Sequence, residues 1–386
     1  MTRLGSKLPF DQAVEEVWYG YQTQVAESTL RRITYANGAA AEALLQQEVA
    51  VIEKEAPESP AAPAQVLLSV DGAFVALTSG EWREVKTLAV GEFETVTNPD
   101  TWQREVHTHH LSTFSRSYGS EAFERFALAE LHRRGLEKAQ TVVAVNDGAA
   151  WIQGFLDYHC PSRAVRIIDF AHAAAYVAQA GKAIWEEESE AFKRWYGSAR
   201  HRLRYEPPQQ TIANLRLLQP RAKTAEQAAL VEGALFYLQS RVQMLDYPHF
   251  VRRGYPIGSG SVESSHKRVV QSRLKGAGMR WAPQHLDPLL SLRNLVCNGR
   301  WDEGWQQIVL FRQEQAVRQR LRRAQAKQPP PSAPITFAAL EAAGLLPEDH
   351  GPATTATTPP DTFKRTRDGH PWNNNKWPTR EAWRWN

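Results

Sequence analysis

Apolar residues at Phe10, Val14, Val17, Trp18 and Tyr21 recur at three- and four-residue intervals, the spacing of one helical face. A short turn follows, and then a second helix with Ser28 and Thr29 near its start and Arg31 and Arg32 projecting from it. Residues 1–55 therefore read as a helical region. Its outline is that of a DNA-binding helix-turn-helix, which a plain helical hairpin with solvated arginines shares. The run "EKEAPESPAAPAQ" breaks the periodicity and predicts a linker over 56–65.

From Val66 the period shortens to that of strands. "VLLSVDGAFVAL" is β-branched and apolar, "EWREVKTLAVGEF" follows a "TSGE" turn as its hairpin partner, and a third strand falls around "EVHTHHLSTF". The segment "SEAFERFALAELHRRGL" is an amphipathic helix, with Ser120 as its N-cap and Gly135 as its stop. "TVVAVNDGA" reads as a buried strand, "AWIQGFLDYHC" as a short helix and "AVRIIDF" as a further strand. Three strands, helix, strand, helix, strand predicts a mixed α/β sheet, not a doubly wound parallel one. This first part of a core covers 66–170, a wholly helical insertion covers 171–252, and the second part of the core with its following helices covers 253–327. A Pro-, Ala- and Thr-rich linker and a polar, aromatic tail make up 328–386.

Composition narrows the class. The chain has 386 residues, 42% of them hydrophobic and 23% charged, as in an ordinary globular protein. A net charge of +4 permits nucleic-acid binding without demanding it. Two isolated cysteines, Cys160 and Cys297, supply neither a disulfide framework nor a zinc ribbon. With no signal-peptide pattern and no apolar run near the ~20 residues of a membrane span, the expected setting is the cytoplasm.

Two carboxylates stand where strands are most apolar. Asp71 interrupts "LLSVDGAFVAL" and Asp147 closes "VVAVNDG", each followed by glycine. A carboxylate inside a strand core calls for a partner, a shifted pKa or a metal. The local alternatives are an Asp-Gly turn at Asp71 and a helix N-cap at Asp147. A third acid, Glu263, leads a helix behind the Gly258-Ser259-Gly260 turn and is followed by Lys267, Arg268, Arg273, Lys275 and Arg280. That order complements a helix dipole, but three carboxylates from separate elements also suit Mg²⁺ or Mn²⁺. In "DFAH", Asp169 and His172 share a helical face, or Asp169 simply caps the helix. His107 and His109 alternate to one side of a strand without an evident acid partner, and Asp157, His159 and Cys160 fit a packed helix end. Trp151 and Trp281 read first as core residues, and "FRQEQAVRQRLRRAQAK" as a solvated or DNA-binding helix.

The motifs "VDGA", "NDGAAWI", "DFAHA" and "GSGSVESSHKRVVQSRLKGAGMRW", with "HPW" in the tail, resemble those of the DDE transposases of bacterial insertion sequences, specifically the ISKra-type family. The resemblance covers most of residues 8–320. It implies an RNase H-like fold: a five-stranded mixed sheet with flanking helices and a helical insertion ahead of the last catalytic helix. It also implies that Asp71, Asp147 and Glu263 are the catalytic, metal-binding residues, with two Mg²⁺ or Mn²⁺ ions per site. Asp169 and His172 match the Asp-x-x-His signature shared with Mutator-like groups. The implied activity is hydrolysis at the transposon ends followed by attack of the freed 3′-hydroxyls on target DNA. Partners would be the terminal inverted repeats, target DNA and a second copy of the chain. Arg31, Arg32, Lys267, Arg268, Arg273, Lys275 and Arg280 would hold DNA. The alternatives are a nuclease of the same fold without strand transfer, or a domesticated DNA-binding protein. No Cys-rich zinc module of the kind larger relatives carry is present near the start of the sequence.

Overall fold

The structure, a computed structural model, describes residues 1–327 apart from Thr101 and Gln103. The expected linker and tail at 328–386 lie outside the described residues. Five strands form one sheet: β1 (Gln65–Ala76), β2 (Trp82–Thr97), β3 (Arg104–Arg116), β4 (Thr141–Asn146) and β5 (Ala164–Ile168). Their spatial order is β3-β2-β1-β4-β5. β1, β2 and β3 pair antiparallel, whereas β4 lies parallel to both β1 and β5. The expected mixed α/β sheet is thus observed, with the fourth and fifth strands added on the side of β1 away from its hairpin.

Strand alternation divides the core. On β1, Val66, Leu68 and Val70 point into a cluster with Leu88, Phe114 and the helices α4 (Ser120–Arg133) and α5 (Ala150–His159). Leu67 points the other way, into a second cluster with Val143, Val145 and Ile167. That cluster is covered by α6 (Phe170–Lys182), α7 (Glu190–Tyr205), α8 (Pro208–Arg216), α9 (Ala225–Gln239) and α10 (Tyr247–Arg252), the helical insertion. Ala73, Val75 and Leu77, of the same parity as Leu67, enter a third cluster. It contains Val269, Val270 and Leu274, from the helix that follows the insertion. Asp71 shares this parity and falls between the second and third clusters, at a seam in the helical cover.

The N-terminal helices α1 (Thr2–Lys7), α2 (Phe10–Tyr21) and α3 (Glu27–Glu55) belong to that third core. Phe10, Ala13 and Val17 of α2 and Leu30 of α3 pack with Ala73 and Val75 of β1. The second helix runs for 29 residues, longer than the outline read from sequence, and it packs on α13 (Pro283–Cys297), α14 (Trp301–Lys327) and α4. At its crossing with α13, a Cβ on Gly38 would lie 2.2 Å from the Pro288 carbonyl oxygen. Only glycine lets the two backbones approach so closely. The 56–65 segment is likewise held in place. Ser59 Oγ donates to the His132 carbonyl, 2.8 Å away, and Ala61 lies against Gly135 at the end of α4. Gly135 itself adopts φ +72, the left-handed stop expected there, while Gly119 rather than Ser120 occupies the N-cap of α4.

Candidate active site

The parallel pairing of β1 and β4 sets Leu68 opposite Ala144. Three residues further along each strand stand Asp71 and Asp147, so the register alone carries the two acids toward the same point. β4 and β5 pair Asn146 with Ile168, and Asp169 follows. The three aspartates therefore stand in a row, β1 to β4 to β5: Asp147 and Asp169 directly follow the carboxyl ends of their strands, where α/β sheets open clefts, and Asp71 lies within the longer β1 beside them.

Asp71 and Asp147 interact. Burial raises the Asp71 pKa to about 6, against a hydrogen bond from Gly72 N (2.7 Å); the charges of Asp147 and Glu84 push it further up and His172 pulls it down. Its side chain is 42% exposed, so it can receive a ligand from solvent. His266 Nδ1 lies 3.5 Å from Asp71 Oδ2, and the ring also hydrogen-bonds the Asp71 backbone carbonyl. Burial depresses the His266 pKa to about 4, so at neutral pH the imidazole orients Asp71 without neutralising it. Its Nε2 is buried without a partner. Asp147 accepts a hydrogen bond from Ala149 N at 2.9 Å, a local Asx turn just ahead of α5, whose N-cap is Ala149.

Asp169 plays a different part. Its Oδ1 accepts from His172 N and its Oδ2 from Ser259 N, both at 2.7 Å, and the residue is buried. Both carboxylate oxygens are thus engaged by backbone amides. Asp169 caps α6 and fastens the turn that opens the Glu263 helix. His172 is half-buried, with its ring edge-on to Tyr176 and Tyr237.

The Glu263 helix is continuous through three segments: α11 (Gly260–Ser265), a π-helical stretch (His266–Gln271) and α12 (Ser272–Leu274). Single π turns inside helices gather at functional sites. Its buried residues are Val262, Ser265, His266, Val269, Val270, Arg273 and Leu274, a stripe at three- and four-residue steps. Glu263 lies just off that stripe, exposed, one turn before His266, and its carboxylate has no side-chain partner among the described residues. Among the described residues no group of three His, Cys, Asp or Glu donors is gathered closely enough to hold a metal ion. The structure therefore brings Asp71 and Asp147 together and sets Glu263 on the neighbouring helix without joining it to them. Two like-charged oxygen donors, one raised in pKa and open to solvent, fit a hard divalent cation held by Asp71 and Asp147.

One of the expected DNA-contacting residues is a core residue. Arg273 is 1% exposed, donates to the Gly5 carbonyl from Nε (3.2 Å) and Nη2 (3.1 Å), and lies between the rings of Phe10 and Trp281. Burial lowers its pKa to about 10; Arg293 and Arg31 add to the fall, and Tyr35 and Asp11 oppose it. It bolts α1 to the back of the Glu263 helix, with its guanidinium buried there. Lys267, Arg268, Lys275 and Arg280 are exposed, and Lys275 is near enough to His266 to repel its protonated form. Arg31 pairs with Glu27 and sits over Phe10, while Arg32 is exposed.

The remaining motifs are structural. Trp281 is buried, its indole donating to the Leu274 carbonyl, and Trp151 packs against Phe123 and Lys86 on the opposite face of the sheet from Asp71. His107, His109 and His110 do have acid partners: Glu105, and Glu94 and Glu92 from β2. Asp157 pairs with Arg166, and His159 and Cys160 are buried. Sequence reasoning missed His266, Tyr237 and Arg241. For His266 the signal was present, since the buried stripe through Val262, Val269 and Val270 includes its position.

Compared with protein-family models and with curated proteins, the chain matches none. The class that its architecture defines is a mixed α/β protein whose single sheet meets two carboxylates at a seam between helical layers. No helix among the described residues is long and apolar enough to cross a membrane.

Proposed function

We propose that the chain is a DDE transposase with an RNase H-like core, cutting DNA ends and joining them to target DNA by metal-dependent hydrolysis and transesterification. The observation that carries this reading is the convergence of Asp71 and Asp147 from parallel strands β1 and β4, close enough for the Asp147 charge to add to the rise in the Asp71 pKa. The order β3-β2-β1-β4-β5 and the mixed pairing support the RNase H-like reading.

Asp71, Asp147 and Glu263 would hold Mg²⁺ or Mn²⁺, two ions per site. When bound, such ions activate a water or a 3′-hydroxyl and stabilise the oxygen that leaves phosphorus. The chain's own residues do the rest. His266, neutral and buried, fixes Asp71 in place. Asp169 secures the Ser259 turn and with it the start of the Glu263 helix. Lys267, Arg268, Lys275 and Arg280 offer exposed positive charge to the phosphates, positioning the strand without reading its sequence. Arg31 and Arg32 lie further along, at the start of α3. Acting on two ends together would call for two copies of the chain.

The test uses the purified full chain with a linear duplex carrying the sequence that flanks its gene, Mg²⁺ and a supercoiled target plasmid. Cleavage and joining of the flanking sequence are expected, with Asp71→Asn losing both while still binding the duplex. Cleavage without joining, even from pre-cut ends, would favour a nuclease of the same fold. Undiminished cleavage by Asp71→Asn would end the reading.

A further inference from the structure

The backbone that presents Asp147 is held from a distant part of the chain. Its own segment secures only amides: Asn146 Oδ1 accepts from Gly148 N at 2.8 Å and Asp147 Oδ1 from Ala149 N at 2.9 Å. The carbonyls of 147 and 148 are engaged instead by the last turn of α9 and the residues just after it, in the helical insertion. Tyr237 Oη donates to the Asp147 carbonyl, and Arg241 donates to the Gly148 carbonyl from Nη2 (3.1 Å) and Nε (3.4 Å). The Arg241 guanidinium lies 4.1 Å from the centre of the Tyr237 ring, and that ring stacks on Tyr176 at 3.8 Å with only 5° between planes. Gly148 is the matching half of the joint. It has φ +77, and a Cβ there would lie 2.7 Å from Arg241 Nε and 2.6 Å from Ile168 Cδ1. The guanidinium occupies the space that glycine leaves free.

We propose that Tyr237 and Arg241 are positioning residues: by clamping the Asp147–Gly148 backbone, the docked insertion sets the affinity of the carboxylate pair for a divalent cation. This rests on reading Asp71 and Asp147 as the cation site. The insertion is then part of the catalytic apparatus, although neither residue touches the reacting atoms. Burial raises the pKa of the Tyr237 hydroxyl, which keeps it a donor across the working pH range.

Mn²⁺ binding to the metal-free full chain, followed by the electron-paramagnetic-resonance signal of the free ion, tests this without recourse to turnover. Tyr237→Phe removes one oxygen, and Arg241→Met removes both guanidinium contacts. Each is expected to weaken Mn²⁺ binding by about tenfold, the low end of what is seen when outer partners of metal ligands are lost. Arg241→Lys, which keeps the charge but not the two-nitrogen contact, should not restore it. In cleavage assays the same variants should lose rate at low Mn²⁺ and regain it at high Mn²⁺, with KM for DNA unchanged. Wild-type Mn²⁺ affinity in folded Tyr237→Phe and Arg241→Met would overturn the proposal. If Arg241→Met does not fold, Tyr237→Phe decides alone. Asp147→Asn separates the two levels: if it binds Mn²⁺ as wild type does, the cation-site reading fails first and this inference with it. If it does not, while the clamp variants bind normally, only the inference fails.

Discussion

Asp71 gives the sharpest test, because its environment penalises the charge it would need. Its pKa is raised from 3.8 to about 6. The folded chain therefore holds a proton that the unfolded chain releases first. Stability from this group is fully present below about pH 4, falls as pH rises toward 6, and is level above that. The shift corresponds to roughly 3 kcal/mol for a fully shielded group. With the side chain 42% exposed, solvent screening reduces this to about 1–1.5 kcal/mol. Asp71→Asn keeps the shape and an acceptor for Gly72 N but cannot ionise. In EDTA, unfolding free energies of both proteins from urea titrations at about pH 4.5 and 7.5 should diverge by about two thirds of that amount, the variant gaining relative to wild type. Mg²⁺ added at pH 7.5 should then stabilise wild type and leave the variant unchanged. Free energies that move in parallel across this range would refute the assigned pKa and the charge coupling behind it.

Other substitutions probe the surroundings. Arg273→Met should lower stability by about 1–3 kcal/mol through lost hydrogen bonds and ring contacts, with no change in the salt dependence of DNA binding. Lys275→Ala should do the reverse, reducing the slope of log K against log salt by about 0.9 on duplex DNA while leaving the thermal midpoint unaltered. Gly148→Ala, which meets both a positive φ and the Arg241 side chain, should cost about 1–3 kcal/mol in denaturant titration. Asp169→Ala strands the Ser259 and His172 amides. A loss of about 2–4 kcal/mol is expected there, together with faster amide exchange at the start of α11.

Much of the framework was legible along the chain because short-range periodicity reports burial directly. All five strands, α4, α5 and the helical insertion stand close to where alternation and three-to-four spacing put them. Asp71 and Asp147 were visible for the same reason, as charges where the pattern demands apolar residues. Arg273 was misread because its charge was weighed without its place on the helix. It belongs to the buried stripe that runs from Val262 to Leu274, and the space between Phe10 and Trp281 accommodates a guanidinium.

What the sequence by itself determined is therefore the set of elements and the two acids that break into or close apolar strands. Tertiary structure decided how those acids meet. The register of Leu68 with Ala144 carries Asp71 and Asp147 to one point, and no local pattern encodes a register between strands separated by several other elements. It also decided that α1–α3 share the core with β1, that both oxygens of Asp169 serve backbone amides, and that Tyr237 and Arg241 hold the Asp147 loop from about ninety residues away. The reason is physical. Spacing along a chain records which side of an element is buried, whereas a hydrogen bond to a distant carbonyl is specified only once both elements have packed.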